Sequence, residues 1–483
     1  MLDSPLLPQI QGFIDGRWQG ADDAATFPVT NPVDGAVLAE PPAMGPMETE
    51  RAVAAAHRAR AAAPDLERRR QWLEGIDRAL REHEEELGRI LTLEHGKPHA
   101  EARGEVLYAA GFFAYAARHL DALAPRVLNE RPRDCDWTVH ARPAGAVALV
   151  TPWNFPIGMI AKKLSAALAA GCPSVIKPSS KTPLTMVALF TLLEREVELP
   201  AGFVNLVTGP AGPIGDTLLA DHRIRVLSFT GSTSVGRNLI RGSAGEVKKL
   251  ALELGGNAPF IVFADSDLDH AARQLMANKF RGGGQTCVCA NRILVEEPAA
   301  EAFRDKVVEL AGALTVGDGM AAGTDLGPLV DRSGYEKVRR HLNDAVERGA
   351  ELVLGGDPGP LESDHGAFFA PTVVAGVTPD MACWREETFG PLVPIATFNG
   401  EEEAVVLAND TDFGLASYLF TGDAERAERI IPRMEFAHVG WNTGSGPTPE
   451  APFGGMKHSG YGREGGLEGL FEFVEIQTVP RGA

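Results

Sequence analysis

The sequence predicts an α/β protein built on a doubly wound parallel sheet. Short, almost wholly apolar runs recur at residues 147–150, 174–176, 204–207 and 226–229, as expected of strands buried on both faces. Helix-length segments, such as residues 158–170 and 183–196, lie between them. Alternation of strand and helix is the connection that parallel pairing requires. A chain of 483 residues is also long enough for two or three domains with large cores.

The elements follow in order. Phe13-Ile14-Asp15-Gly16-Arg17-Trp18 reads as a hairpin, with Asp-Gly turning between two short strands. Over residues 64–93, Trp72, Leu73, Ile76, Leu80, Leu87, Ile90 and Leu91 fall at helical spacing. One helix is predicted there, stopped by Gly96 and Pro98. The strand–helix units follow. A second α/β unit begins near Pro259-Phe260-Ile261-Val262-Phe263 and runs beyond residue 287. Periodicity alone does not trace its interior.

Bulk properties narrow the function. A formal charge of −19 argues against nucleic acid or an anionic membrane as partner. A small anion remains possible, because a local cationic pocket overrides the mean field. Five cysteines, Cys135, Cys172, Cys287, Cys289 and Cys383, make no disulfide framework and point to a reducing compartment. The Cys287–Cys289 pair has no second pair to complete four zinc ligands, so no metal is expected. There is no run of about 18 apolar residues and no basic segment leading into an apolar one. A cytoplasmic location is the expectation.

Three segments carry chemistry. In Gly282-Gly283-Gly284-Gln285-Thr286-Cys287, a thiol follows a glycine turn that leaves room for an electrophile, with a backbone N–H facing a developing oxyanion. Leu252-Glu253-Leu254-Gly255-Gly256 sets a carboxylate in an apolar run, where a raised pKa suits a general base. Val150-Thr151-Pro152-Trp153-Asn154-Phe155-Pro156 stops a strand at prolines and presents an amide donor, Asn154. Each segment has a plain structural reading too: a buried thiol, a solvent-facing glutamate, a proline-bounded turn.

Together with FTGSTSVG, EETFGP and PFGG, the motifs PWNFP, LELGG and GQTC make the chain resemble the aldehyde dehydrogenase superfamily, most of all its succinate-semialdehyde members. The resemblance implies a Rossmann-like coenzyme domain (residues 1–120 and 144–254) and an α/β catalytic domain (255–467). It adds a small β oligomerisation arm (121–143 and 468–483) that builds a homodimer or homotetramer. It implies Cys287 as nucleophile, Glu253 as base and Asn154 as oxyanion donor. NADP or NAD would lie against Trp153, Lys177, Ser179, Ser180, Gly231, Ser232, Gly236, Leu254, Glu387 and Phe389. NADP is favoured, because Ser180 stands where NAD-selective members often carry Glu, and Lys181 adds a cation for a 2′-phosphate.

The expected reaction oxidises an aldehyde to an acid through a thiohemiacetal and a thioester. The expected substrate is a semialdehyde with a far carboxylate, such as succinate semialdehyde. Arg281, six residues before the nucleophile, holds the position that binds that carboxylate in the subfamily. Lys162 stands where a second arginine is usual, keeping the charge but not the fork. Residues 442–450 lack the subfamily's serine pattern, which leaves 2-oxoglutarate semialdehyde or a broad range of aldehydes as alternatives. A non-catalytic aldehyde-binding protein is the reading from a different class. The Cys-Val-Cys spacing also raises a regulatory Cys287–Cys289 disulfide, which an extended backbone disfavours.

Overall fold

The computed structural model describes residues 2–130, 132–356 and 367–482. An eight-stranded sheet runs in the order Arg17–Gln19, Gly12–Ile14, Val204–Leu206, Ser174–Lys177, Ala146–Val150, Ile224–Thr230, Lys249–Glu253 and Gly460–Tyr461. Its five middle strands are parallel. From Ala146–Val150 the chain builds outward on one side, then crosses to build on the other. That reversal opens a crevice at the carboxyl end of Ala146–Val150, where open α/β sheets bind ligands. The segment Thr151-Pro152-Trp153-Asn154 leaves the sheet at this crevice.

The N-terminal hairpin forms as expected. Asp15 and Gly16 both take positive φ, 54° and 75°, as a two-residue turn matched to strand twist requires. The helix expected over residues 64–93 is instead two, Leu66–Glu82 and Glu84–His95, meeting at His83 (φ −109°, ψ 18°). The sequence between Leu80 and Leu87 contains no apolar residue, so no buried stripe holds the axis straight across it. Glu84, Glu85 and Glu86 occupy the first turn of the second helix, where its positive end favours them.

A second, seven-stranded sheet runs Glu351–Leu354, Thr372–Ala375, Leu392–Phe398, Ala290–Glu296, Ala258–Val262, Ala416–Phe420 and His438–Trp441. All its pairings are parallel except that of the edge strand Glu351–Leu354. In a third sheet Asp136–Pro143 lies between Val474–Arg481 and Arg126–Val127. The long pairing is in register from Val474 opposite Pro143 to Arg481 opposite Asp136. Among the described residues, no helix is long and apolar enough to cross a membrane.

Candidate active site

Helix Leu268–Lys279 ends just before three consecutive left-handed glycines, Gly282, Gly283 and Gly284, at φ 58°, 67° and 77°. A Cβ on Gly284 would stand 2.3 Å from the Gly390 carbonyl, so the turn demands glycine on both conformational and steric grounds. It delivers Cys287, 9% exposed, ahead of strand Ala290–Glu296.

Glu253 is the last residue of Lys249–Glu253, in register with Thr230. The Cys287 thiol donates to Glu253 Oε1 at 3.3 Å. Nucleophile and base candidates therefore meet, although they come from different sheets. Gly256 lets them do so: a Cβ there would lie 2.2 Å from the Cys287 carbonyl oxygen. Gly256→Ala is expected to displace the nucleophile and cut turnover about 100-fold. Circular dichroism should stay unchanged; wild-type turnover would show that the close approach is dispensable.

The electrostatics depart from the sequence expectation of a raised Glu253. Burial does push its carboxyl up. Lys162, with Nζ 3.6 Å from Oε2, leads a group including Glu464, Lys163 and the thiol that holds it below the usual carboxylate range. The leucines beside Glu253 in sequence suggested an apolar site, whereas its neighbours in space are two lysines. Glu464 goes the other way, pushed up by burial and by the Glu253 charge, against the pull of Lys163. The Cys287 thiol is pushed well up by burial and then by Glu253, so it needs a proton acceptor beside it to become the nucleophile.

Asn154 precedes helix Pro156–Ala170 and donates Nδ2 to the Gln285 carbonyl at 2.9 Å, which ties the amide to the nucleophile loop. Sequence reasoning missed the pair beneath it. Lys97 Nζ donates to the Asn154 carbonyl at 2.8 Å and to Glu105 at 2.6 Å. Glu105 in turn accepts the Ile157 and Gly158 N–H groups. The one available signal was Lys97 just before Pro98, at the mouth of a helix. Glu464, also missed, was signalled only as an acid in a glycine-rich stretch.

Eight of the predicted residues line one cavity: Trp153, Asn154, Gly231, Ser232, Leu254, Cys287, Glu387 and Phe389, joined by the unpredicted Lys337. The cavity suits a dinucleotide. Glu387 is a half-buried carboxylate that accepts the Gly256 N–H at 2.8 Å, and desolvation raises it to about 7; sugar hydroxyls are apt donors to it. Ser232 caps helix Thr233–Ser243, whose N-terminus favours a phosphate. A Cβ on Gly236 would meet Leu254 at 2.6 Å, so that helix packs tightly on the sheet.

Lys177, Ser179 and Ser180 lie farther out, at and beyond the end of Ser174–Lys177. Burial lowers the Lys177 ammonium to about 8. Lys181, read as a free cation for a 2′-phosphate, is instead ion-paired with Asp331. That partner lies 150 residues away in sequence, beyond the reach of local reading.

Arg281 lies on the other side of the nucleophile loop. It lines a second cavity with Gln274, Asn278, Thr286, Val288 and Gly444 to Gly446. Its guanidinium sits 4.7 Å over the Phe155 ring and forms no ion pair among the described residues. Lys162, expected to be a second substrate cation, is placed against Glu253. Cys289 is engaged away from the nucleophile: its Sγ donates to the Gly284 carbonyl at 3.4 Å and receives Lys279 Nζ at 3.5 Å.

A profile of the aldehyde dehydrogenase family matches residues 18–479. The chain is 45% identical to 3-sulfolactaldehyde dehydrogenase of Pseudomonas putida, over 99% of this chain and 98% of that one. It is 43% identical to the NADP(+) succinate-semialdehyde dehydrogenase of Escherichia coli K12, again over 99% and 98%. The crystal structure of an oxidoreductase from Marinobacter aquaeolei superposes with a TM-score of 0.97 at 60% identity, covering 100% of both chains.

Proposed function

The chain belongs to the aldehyde dehydrogenase family, and from that premise we propose that it oxidises aldehydes carrying a far anionic group, succinate semialdehyde among them. The observation that carries this reading is Arg281. Its guanidinium has no ion pair among the described residues, is stacked on Phe155, and lines a cavity whose wall continues into the nucleophile loop. A planar fork of donors suits a carboxylate, and also a sulfonate. Relatives named for succinate semialdehyde, glutarate semialdehyde and sulfolactaldehyde support it.

NAD(P) supplies the hydride acceptor when bound. Glu387 and Phe389 would hold its nicotinamide end, with Trp153 beside them in the same cavity, Gly231 and Ser232 its phosphates, and Lys177, Ser179 and Ser180 its adenosine ribose. NADP is favoured, since Ser180 offers no charge against a 2′-phosphate.

Cys287 Sγ bonds to the aldehyde carbon as its proton passes to Glu253 Oε1, the acceptor already in contact. The Asn154 amide and the Cys287 N–H stabilise the oxyanion of the thiohemiacetal. Collapse of the oxyanion re-forms the carbonyl and expels the carbon's hydrogen as hydride, for which the coenzyme would be the acceptor, leaving a thioester on Cys287. Glu253, its first proton passed to solvent, takes one from water as that water attacks the thioester carbon. The carbon–sulfur bond breaks, the proton on Glu253 passes to the departing Cys287 sulfur, and the carboxylic acid leaves.

The two large sheets support a coenzyme unit and a catalytic unit divided near residue 255, with Gly460–Tyr461 returning to edge the first sheet, and the third sheet supports the arm. Exposed Val127, Ile476 and Val479 on that sheet support its covering by another copy, in a dimer or tetramer. Five unpaired cysteines support a reducing, cytoplasmic setting.

The test is kcat/KM for succinate, glutarate and 2-oxoglutarate semialdehydes against hexanal and benzaldehyde, each with NAD and NADP. The acids are expected to lead by about 100-fold, and Arg281→Ala to erase most of that lead, about 2.7 kcal/mol of discrimination. An equal response to charged and uncharged aldehydes would sink the semialdehyde reading and favour the broad-range alternative.

A further inference from the structure

We infer that Lys162 is a positioning residue for Glu253: it keeps the base ionised and oriented, and it does not clamp the substrate. The inference rests on Glu253 being the base. Lys162 lies within Pro156–Ala170, a helix buried along its whole length, so its ammonium is withdrawn from bulk solvent. Its side chain is 1% exposed and that of Glu253 2%. Nζ has no hydrogen-bond partner and sits 4.8 Å over the Phe453 ring. A charge so placed persists only when anions compensate it. Here they are Glu253 Oε2 at 3.6 Å and Glu464 Oε2 at 3.8 Å.

The two oxygens of Glu253 are thereby divided. Oε2 faces Lys162, with Thr230 Oγ1 at 3.5 Å, and Oε1 faces the Cys287 thiol. An ammonium on one oxygen fixes the carboxylate plane and leaves the other oxygen free for thiol or water. A substrate carboxylate drawn to Lys162 would strip the base of its counterion. Arg281, across the nucleophile loop and without an ion pair, carries no such conflict.

The groups that face Glu253 come from every packed element. Lys162 and Lys163 come from the helix, Glu464 from the segment after Gly460–Tyr461, and Cys287 from its loop. Tyr108, from helix His99–His119, feels both Lys162 and Glu253. Burial favours a neutral Glu253, and Lys162 opposes it first, followed by Glu464, Lys163 and the thiol. Removing Lys162 therefore moves Glu253 upward in pKa, so the base is lost at a higher pH.

The experiment is the pH profile of kcat and KM for Lys162→Met and Lys162→Arg, with succinate semialdehyde and hexanal. Lys162→Met is expected to move the acid limb of kcat up by about one to three pH units. The KM ratio of the two aldehydes should stay within about twofold. Lys162→Arg, which restores the charge, should return the limb to within about half a unit of wild type. If Lys162→Met does not fold, Lys162→Gln replaces it. The alkylation rate of Cys287 by iodoacetamide gives a readout without turnover. Its pH dependence should move upward with the limb, because Lys162 lowers the thiol.

An unmoved limb, with a semialdehyde KM raised about tenfold relative to hexanal, overturns the proposal and makes Lys162 a substrate cation. Unchanged steady-state turnover in Glu253→Gln overturns the base assignment itself, and that outcome is distinct because it does not involve Lys162.

Discussion

Cys287→Ala is expected to lower aldehyde oxidation by at least about 10⁴-fold, roughly 5.5 kcal/mol of barrier. No other thiol can substitute. Cys289, two residues on, is bound to the Gly284 carbonyl and Lys279, and Cys172 donates to the Phe473 carbonyl far from the site. The substitution removes one sulfur that touches a single carboxylate, so the melting temperature should stay within about 3 °C of wild type. The measurement is coenzyme reduction at 340 nm beside a thermal melt. Residual activity within tenfold of wild type would show that the oxidation does not pass through Cys287 and would dismantle the covalent route. A protein that still binds aldehyde but never turned over before mutation would be the non-catalytic alternative.

Glu253→Gln is expected to separate the two halves of the reaction. Gln keeps the shape and the contact with Lys162 but cannot accept a proton from water. A first turnover, slowed because the thiol proton must then pass to water, should still yield about one equivalent of reduced coenzyme per site, followed by a steady state about 10²- to 10⁴-fold slower than wild type. Mass spectrometry of the quenched protein should show the acyl group on Cys287. A slow steady state with no burst and no adduct would mean that taking the thiol proton, and not activating water, is the step at which Glu253 limits the reaction. In the wild-type enzyme the acid limb should lie low in pH, because Glu253 sits below the usual carboxylate range. Turnover is retained above that pKa and lost as pH falls through it.

Much of this was legible in the sequence, for definite reasons. Continuous apolar runs identified Ala146–Val150, Ser174–Lys177 and Ile224–Thr230, because strands buried on both faces tolerate little else. The glycine motifs were legible because Gly284 and Gly256 have no room for a Cβ. The second sheet was harder to read. Leu392–Phe398 carries Pro394 in its middle, a residue that usually argues against an interior strand. The break at His83 escaped because apolar spacing resumes in phase beyond it. What was misread depended on distant partners. Lys162 and Lys163 reach Glu253 from about ninety positions upstream, and Asp331 reaches Lys181 from 150 positions downstream. Local composition carries no trace of either.

The thiol–carboxylate contact spans a seam. Glu253 ends a strand of one large sheet and Cys287 precedes a strand of the other, with Gly255 and Gly256 as the covalent link. The pair therefore acts as a caliper: any shift of one sheet against the other changes the 3.3 Å sulfur–oxygen distance directly. A substitution that alters the seating of the two sheets should change turnover while leaving both reacting groups in place.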